Sequence, residues 1–175
     1  GAGGDPAFVS AGDIDIAHRI AAERLWEGYT LHSGRRRRVV VASAGGYPND
    51  INLLQAHKAI RHASLAVEDG GLLLMAAACS EGVGSDSLMQ DFSGGREDVP
   101  ENVSALYTLN SQASMSIHGI TDRIEVRLLS ELPDDTIGRF GFGSWKPEEI
   151  SSILEGIPED EMLAVTHAAS FLPVI

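Results

Sequence analysis

Residues 39–50 read VVVASAGGYPND, where a run of valines passes directly into a loop of glycine, proline and asparagine. Three consecutive β-branched residues predict a buried strand of a parallel sheet, because such strands are apolar on both faces. The turn-forming residues that follow predict a sharp exit from the strand. Asn49 or Asp50 is expected to cap a helix over about residues 50–68 by accepting from its free amides. The stretch therefore predicts a strand–loop–helix unit.

Outside that unit, short apolar runs alternate with helical patterns. The sequence predicts strands near residues 38–43, 71–77, 123–129 and 161–166, and helices over 13–27, 103–118, 134–140 and 146–154. Residues 93–102 are rich in helix breakers and are expected to form an exposed linker. This alternation favours an α/β fold: a three-layer sandwich around a mainly parallel sheet of about four or five strands.

The composition limits the class of protein. A chain of 175 residues with 43% apolar side chains can bury the core of one domain. Its formal charge of −12 disfavours a nucleic-acid surface, and its apolar runs fall short of the ~20 residues that span a membrane. One cysteine excludes an internal disulfide and fits a reducing, cytoplasmic compartment. The opening Gly1-Ala2-Gly3-Gly4 lacks a methionine and a signal-peptide pattern, as expected of a piece of a longer polypeptide.

The helix predicted after residue 50 separates into two faces. Its apolar positions follow helical spacing and should pack on the sheet: Leu53, Ala56, Ile60, Ala63 and Val67. A polar stripe lies opposite: Asn52, Gln55, Lys58 and His62. Gln55 and Lys58 stand one turn apart, so their heads can converge on one small acid. The alternative is a solvated face, which is the usual location of lysine and glutamine.

Two glycine-rich loops follow consecutive predicted strands. The first glycine loop is residues 43–50 and the second is residues 79–85. In an open parallel sheet, ligands bind beyond the carboxyl ends of the strands, where both loops should lie. Glycine lets a ligand approach the backbone closely, and a free helix N-terminus favours an anion. Glycine also serves tight turns without any ligand, so both interpretations stay open.

Several other polar residues carry weak signals. His57 and His62 are five residues apart, about 140° around a helix, so they cannot chelate one metal together. Cys79 ends an apolar strand and is expected to be an inert core thiol. The run Arg35–Arg38 is expected to be solvated rather than an anion patch, given the acidic net charge. The sequence by itself shows no complete metal site or nucleophile constellation.

Three blocks of the sequence share an order and spacing with a known family. The central block, SAGGYPNDINLLQAHKA at residues 43–59, resembles the signature of the C-terminal domain of nickel-dependent lactate racemases, the LarA family. The upstream block, SAGD at 10–13 followed by Ala17-His18, resembles the approach to that signature. The downstream block, CSEGVGS at 79–85, resembles the family's Cys-x-Glu-Gly-x-Gly loop. The resemblance is strong over about residues 8–92.

This resemblance implies an activity, a cofactor and a partner. Enzymes of the family interconvert stereoisomers of 2-hydroxy acids with a nickel-pincer nucleotide, which is bound mainly by an N-terminal domain. No counterpart of that domain is found in this sequence. Residues 1–175 are therefore expected to be a single C-terminal domain, without cofactor and inactive alone. Its expected partners are the N-terminal domain and a small 2-hydroxy acid.

The resemblance also assigns site residues. A glutamine and a lysine one turn apart in the family match Gln55 and Lys58, which would orient the substrate and stabilise charge on its oxygens. Residues of both glycine loops are further expected to contact substrate or cofactor: Gly45, Gly46, Tyr47, Asp50, Glu81 and Gly82. No metal ligand is expected in this chain.

One departure from the family pattern and two competing classes keep other functions open. Leu109 stands three residues before Gln112, where the family's lactate racemases are expected to carry tryptophan, so larger 2-hydroxy acids and sugar acids come into question. Two further classes compete with the racemase hypothesis. One is a non-catalytic module whose glycine loops hold a nucleotide or another anion. The other is a structural module in which the polar stripe forms an oligomer contact.

Overall fold

A computed structural model describes residues 6–174, so the opening Gly1-Ala2-Gly3-Gly4 lies outside the described residues. The strands are β1 (Thr30–His32), β2 (Arg37–Ser43), β3 (Val67–Ala76), β4 (Glu125–Leu129), β5 (Gly143–Ser144), β6 (Met162–Val165) and β7 (Leu172–Val174). The α-helices are α1 (Ile14–Tyr29), α2 (Leu53–Ser64), α3 (Asp86–Asp91), α4 (Val99–Ala105), α5 (Ser111–Arg123), α6 (Asp134–Arg139) and α7 (Ile150–Ile153).

The central sheet has five parallel strands in the order β5-β4-β3-β2-β6. The valine run of β2 lies in its middle, with Val40 opposite Leu73 of β3 and Leu163 of β6. Val40 and Leu73 are fully buried, and Val39 and Leu74, which point to the opposite face, are buried as well. Because both faces are covered, the predicted three-layer α/β architecture with a parallel sheet is confirmed.

Helix α2 packs its predicted apolar face on this sheet. Leu53, Ala56, Ile60 and Ala63 have no exposed surface and belong to the main core cluster. The predicted extension of α2 to residue 68 is wrong, because Val67 begins β3 and pairs with Arg37 of β2. A β-branched residue there fits a pleated strand better than a last helical turn.

The predicted linker at residues 93–102 is also wrong. Arg96–Asp98 forms a 3-10 helix and Val99 begins α4, where its side chain is fully buried. The Asn102 side chain donates to the backbone oxygen of Asp91 over 2.8 Å. Spacing of valines at 99 and 103 is a helical signal that the neighbouring glycines and proline obscured. The helix predicted over 103–118 is split into α4 and α5 by residues 106–110.

Helix α1 forms close to its predicted place, with Asp13 accepting from the backbone amides of Asp15 and Ile16. None of its 16 residues is buried. It leads into β1, which pairs in parallel with β7 in a separate two-stranded sheet. The described chain contains no helix that is both long and apolar enough to cross a bilayer.

Candidate functional site

The carboxyl ends of β2 and β3 bring the two glycine loops side by side. The backbone amide of Cys79 donates to the carbonyl oxygen of Asp50 over 2.7 Å, and the amide of Ala78 donates to Asp50 Oδ2 over 3.3 Å. The amide of Glu81 donates to the oxygen of Ile51 over 2.9 Å. The two loops are therefore one hydrogen-bonded unit, and Asp50 is one of the residues that join them.

The N-terminus of α2 is closed by that unit. Asn52, not Asn49 or Asp50 as predicted, is the N-cap, and its Oδ1 accepts from the Gln55 amide over 2.9 Å. The amides of the first two helical residues donate to carbonyls of the second glycine loop: Leu53 to Gly82 over 3.0 Å and Leu54 to Val83 over 3.1 Å. Ala56 donates to the backbone oxygen of Asn52 over 2.9 Å. The three amides of the first helical turn are thus occupied, which argues against an anion site at this helix terminus.

Gln55 and Lys58 meet on the polar face of α2, as their spacing predicts. The Lys58 ammonium donates to Gln55 Oε1 over 2.7 Å, and the Lys58 side chain is exposed. Because the amide oxygen accepts from Lys58, the amide NH₂ and the remaining ammonium protons are the donors that the pair can offer to a ligand. Such a cluster matches a carboxylate or an alkoxide oxygen.

Four of the remaining predicted residues line two cavities at the same edge of the sheet, whereas Gly45 and Tyr47 line neither. A cavity of about 390 Å³ at the ends of β2, β3 and β4 includes Gly46, Asp50 and Ser130 in its wall. A second cavity of about 500 Å³ includes Glu81 and Gly82. Gln55 and Lys58 line neither cavity. The structure therefore brings the predicted residues to one edge without enclosing them in a single pocket.

His167 joins this edge although sequence reasoning assigned it no role. It follows β6, the neighbour of β2, and adopts a left-handed backbone conformation with φ of +57°. Its ring and Cα lie so close to Gly45 that a Cβ there would be 3.0–3.3 Å from them. A non-glycine residue with this φ is uncommon and points to a positional constraint. Its location directly after the last predicted strand was the available signal.

Exposed apolar side chains border the edge. Tyr47, at the tip of the first glycine loop, is 81% exposed, and Tyr107 and Leu109 are 70% and 91% exposed. The segment containing the last two is tied to the second glycine loop, because the Asn110 side chain donates to Ser85 Oγ over 2.8 Å. Large apolar groups at such exposure mark a surface suited to contact with another molecule or domain.

His57 is a buried polar group on the same helix. Neither of its ring nitrogens is accessible or has a hydrogen-bond partner among the described residues. Burial, the largest cause, lowers the pKa of the His57 imidazole from 6.5, and the positive charges of Arg61, Lys58 and His62 act in the same direction. The backbone of Leu54 raises the pKa of His57, but by less than burial and the nearby positive charges lower it. The folded chain therefore favours neutral His57.

Replacing His57 by leucine is expected to stabilise the chain by about 1–3 kcal/mol, because a buried polar group without partners is removed. The unfolded chain binds a proton at His57 below pH 6.5 while the folded chain resists it, so stability falls as the pH falls through 6.5. This loss should be smaller in His57→Leu, as measured by urea unfolding at pH 7.5 and 5.5. The exposed control, His32→Leu, should keep the parent's pH dependence. Equal pH dependence in parent and His57→Leu would contradict the assignment.

Cys79 is the core thiol that the sequence predicts. It is 1% exposed, and burial raises its pKa to about 11, with Asp50 and Glu131 adding to the shift and a hydrogen bond with Ser130 opposing it. A thiol reagent at pH 8 should therefore modify it at least about 100-fold more slowly in the folded chain than in the urea-unfolded chain. Rapid titration of one thiol per folded chain, followed by the absorbance of released thionitrobenzoate, would contradict this.

The described residues do not form a metal centre. No group of three or more histidine, cysteine, aspartate or glutamate side chains lies close enough to hold an ion in the part of the chain that the structure describes. The arginine run is also used locally, since Arg35, Arg36 and Arg38 pair with Asp160, Asp69 and Glu161. Within the described residues, these side chains therefore offer no cluster of ligands for a nickel ion.

Comparison with known proteins places this geometry in context. The sequence model described as "Lactate racemase C-terminal domain" matches residues 33–132. A lactate racemase from Thermoanaerobacterium thermosaccharolyticum is 33% identical over 82 residues, which make up 47% of this chain and 19% of that protein.

Two solved structures share the fold. The lactate racemase apoprotein from Thermoanaerobacterium thermosaccharolyticum superimposes with a TM-score of 0.81 at 21% identity, over 91% of this chain and 40% of its own. A Thermotoga maritima protein superimposes with a TM-score of 0.67 at 14% identity, over 91% of this chain and 42% of its own. The chain thus spans less than half of each of these relatives.

Proposed function

Because the chain belongs to the lactate racemase C-terminal domain family, we propose that it is one domain of a 2-hydroxyacid racemase or epimerase. In this proposal, residues 1–175 form a C-terminal domain that closes over an active site shared with an N-terminal domain. The length of the relatives supports it, since the match covers 40% of the lactate racemase apoprotein. The nickel-pincer nucleotide would then bind to residues outside this chain, which forms no metal centre in its described part.

The Gln55–Lys58 pair is the observation that carries the proposal. Its hydrogen bond of 2.7 Å holds the two side chains together, so the Gln55 NH₂ and the Lys58 ammonium can donate to the same small molecule. A 2-hydroxy acid presents a carboxylate and a hydroxyl oxygen, and both accept such donors. Lys58 would stabilise negative charge on these oxygens, and Gln55 would orient them.

The loop residues have supporting roles in this proposal. Gly46 and Asp50 line one cavity at the edge, and Glu81 and Gly82 line the other, so these positions would contact substrate or cofactor held by the companion domain. Gly45 would contact substrate or cofactor together with His167, which lies against it. Tyr47 would make such a contact from its exposed position at the loop tip.

The substrate in this proposal extends beyond lactate. Leu109, at the position where the family's lactate racemases are expected to carry tryptophan, is 91% exposed, and a smaller side chain there leaves room for a larger 2-hydroxy acid. The charge of −12 disfavours nucleic acid as a partner, and we expect the protein in the cytoplasm.

The test uses the longer polypeptide that contains this chain, loaded with nickel cofactor, against a panel of 2-hydroxy acids. We expect interconversion of stereoisomers of at least one acid, followed by chiral chromatography, and none with the 175-residue chain alone. Failure of the loaded polypeptide on every acid contradicts the proposal. Calorimetry separates the main alternative, because tight nucleotide binding by the 175-residue chain alone would favour a binding module, which the occupied amides of α2 disfavour.

A further inference from the structure

Helix α1 leaves its apolar side chains in solvent. Ile14, Ile16, Ile20, Leu25 and Trp26 are between 45% and 81% exposed, although all five are apolar. They lie on more than one side of the helix, so one neighbouring sheet face could not cover them. An isolated helix of this length is marginal in water and gains its stability from packing. The helix therefore lacks its partner surface in the described chain.

A groove runs along the same helix. Residues 7–10, here called the Phe8 segment, lie beside α1. Ser10 Oγ of this segment donates to the backbone oxygen of Ala17 over 2.8 Å. Between Phe8 and the helix residues Ala22, Leu25 and Tyr29 lies a groove of about 570 Å³. Its walls are mainly apolar, and its volume can admit one or two large apolar side chains from another surface.

We infer that α1 and the Phe8 segment are the docking surface for the companion domain of the longer polypeptide. The identity of the docking partner rests on the proposed function. The need for a partner rests only on the exposed apolar side chains of α1. The family match covers residues 33–132, so α1 and the residues before it lie outside the matched stretch. More than half of the lactate racemase apoprotein lies outside the superposition, which provides a surface of the required size.

A second copy of this chain is the weaker occupant. Each copy carries a charge of −12, and two such copies repel one another at low ionic strength. The helix itself does not add to this repulsion, because its acidic residues are accompanied by Arg19 and Arg24, and Arg24 pairs with Glu27 over 2.9 Å. A companion domain on the same polypeptide is held near α1 by the chain itself, so its contact needs no association of two chains that each carry a charge of −12.

Thiol labelling tests the inference, because buried Cys79 gives a low background. Ala22→Cys places a small probe in the groove, and Ser151→Cys places a control on exposed α7. In the 175-residue chain both sites should react with a maleimide at similar rates. In the longer polypeptide Ala22→Cys should react at least about tenfold more slowly while Ser151→Cys is unchanged, with the labelled position identified by peptide mass spectrometry.

Other outcomes overturn the inference. Equal labelling of Ala22→Cys in both proteins would show that the companion domain leaves the helix uncovered. Protection in the 175-residue chain that increases with its concentration would assign the surface to a second copy. Leu25→Cys is a second probe in the same groove, with circular dichroism to confirm that each variant is folded. Labelling needs no catalysis, so this result is independent of whether the racemase assay succeeds.

Discussion

Replacing Lys58 by alanine in the cofactor-loaded longer polypeptide is expected to lower kcat/KM for 2-hydroxy acids by at least about 100-fold, the usual effect of removing a preorganised donor. The ammonium would contribute most where negative charge develops on substrate oxygens, so kcat should fall together with kcat/KM. Its bond to Gln55 Oε1 is also lost, which frees the amide to rotate. Initial rates of stereoisomer interconversion measure both parameters.

Arg61→Ala is the matched control for Lys58→Ala. Arg61 is the next exposed cation on α2 and has no ion pair in the described structure, so its removal changes the charge of the helix equally. We expect Arg61→Ala to stay within about threefold of the parent, since loss of one exposed charge away from the reacting atoms has a small effect. Equal losses in the two variants would attribute the effect to net charge and contradict the role of Lys58.

Gly84→Ala is expected to destabilise the chain by about 2–4 kcal/mol, the sum of a left-handed backbone penalty and a lost helix cap. Gly84 has φ of +76°, and a methyl group there would overlap the side chain of Asn52. Asn52 cannot move aside without breaking its bond to the Gln55 amide. Urea unfolding monitored by circular dichroism gives the change in free energy.

Gly82→Ala separates the two causes. Gly82 has the same φ of +76°, but nothing lies within 4 Å of an added methyl group. We expect a cost of about 1–2 kcal/mol from the backbone alone. In an Asn52→Ala background, Gly84→Ala should also cost only that amount, because the cap is already absent. Additive losses from Asn52→Ala and Gly84→Ala would show that the overlap with Asn52 is unimportant.

Much of the central sheet follows from local sequence. The strands β2, β3, β4 and β6 overlap the predicted ranges because each is a short apolar run bounded by turn residues. The buried face of α2 follows from helical spacing in the same way. The strands β2 and β3 are the most predictable, since burial on both faces along their apolar runs leaves little choice of residue type.

The site was predictable in part. Convergence of Gln55 with Lys58 follows from the geometry of one helical turn. The bonds from Leu53 and Leu54 to the second glycine loop and the position of His167 against Gly45 depend on contacts between segments distant in sequence, which no local pattern encodes. The isolation of α1 was missed for a related reason: an apolar helix pattern predicts that a partner exists but not which one.

The bonds from Leu53 and Leu54 to Gly82 and Val83 have a consequence for how the domain could evolve. They hold the start of α2 against the second glycine loop. The backbone positions of Gln55 and Lys58 therefore cannot be changed by moving the helix or the loop alone. A bulkier acid would then require a shift of α2 and the second glycine loop together. Alternatively, it would require shorter side chains at the border of the site, such as at residue 109. If the proposed function holds, a change of substrate should accordingly involve residues at the border, while the hydrogen-bonded start of the helix stays constant.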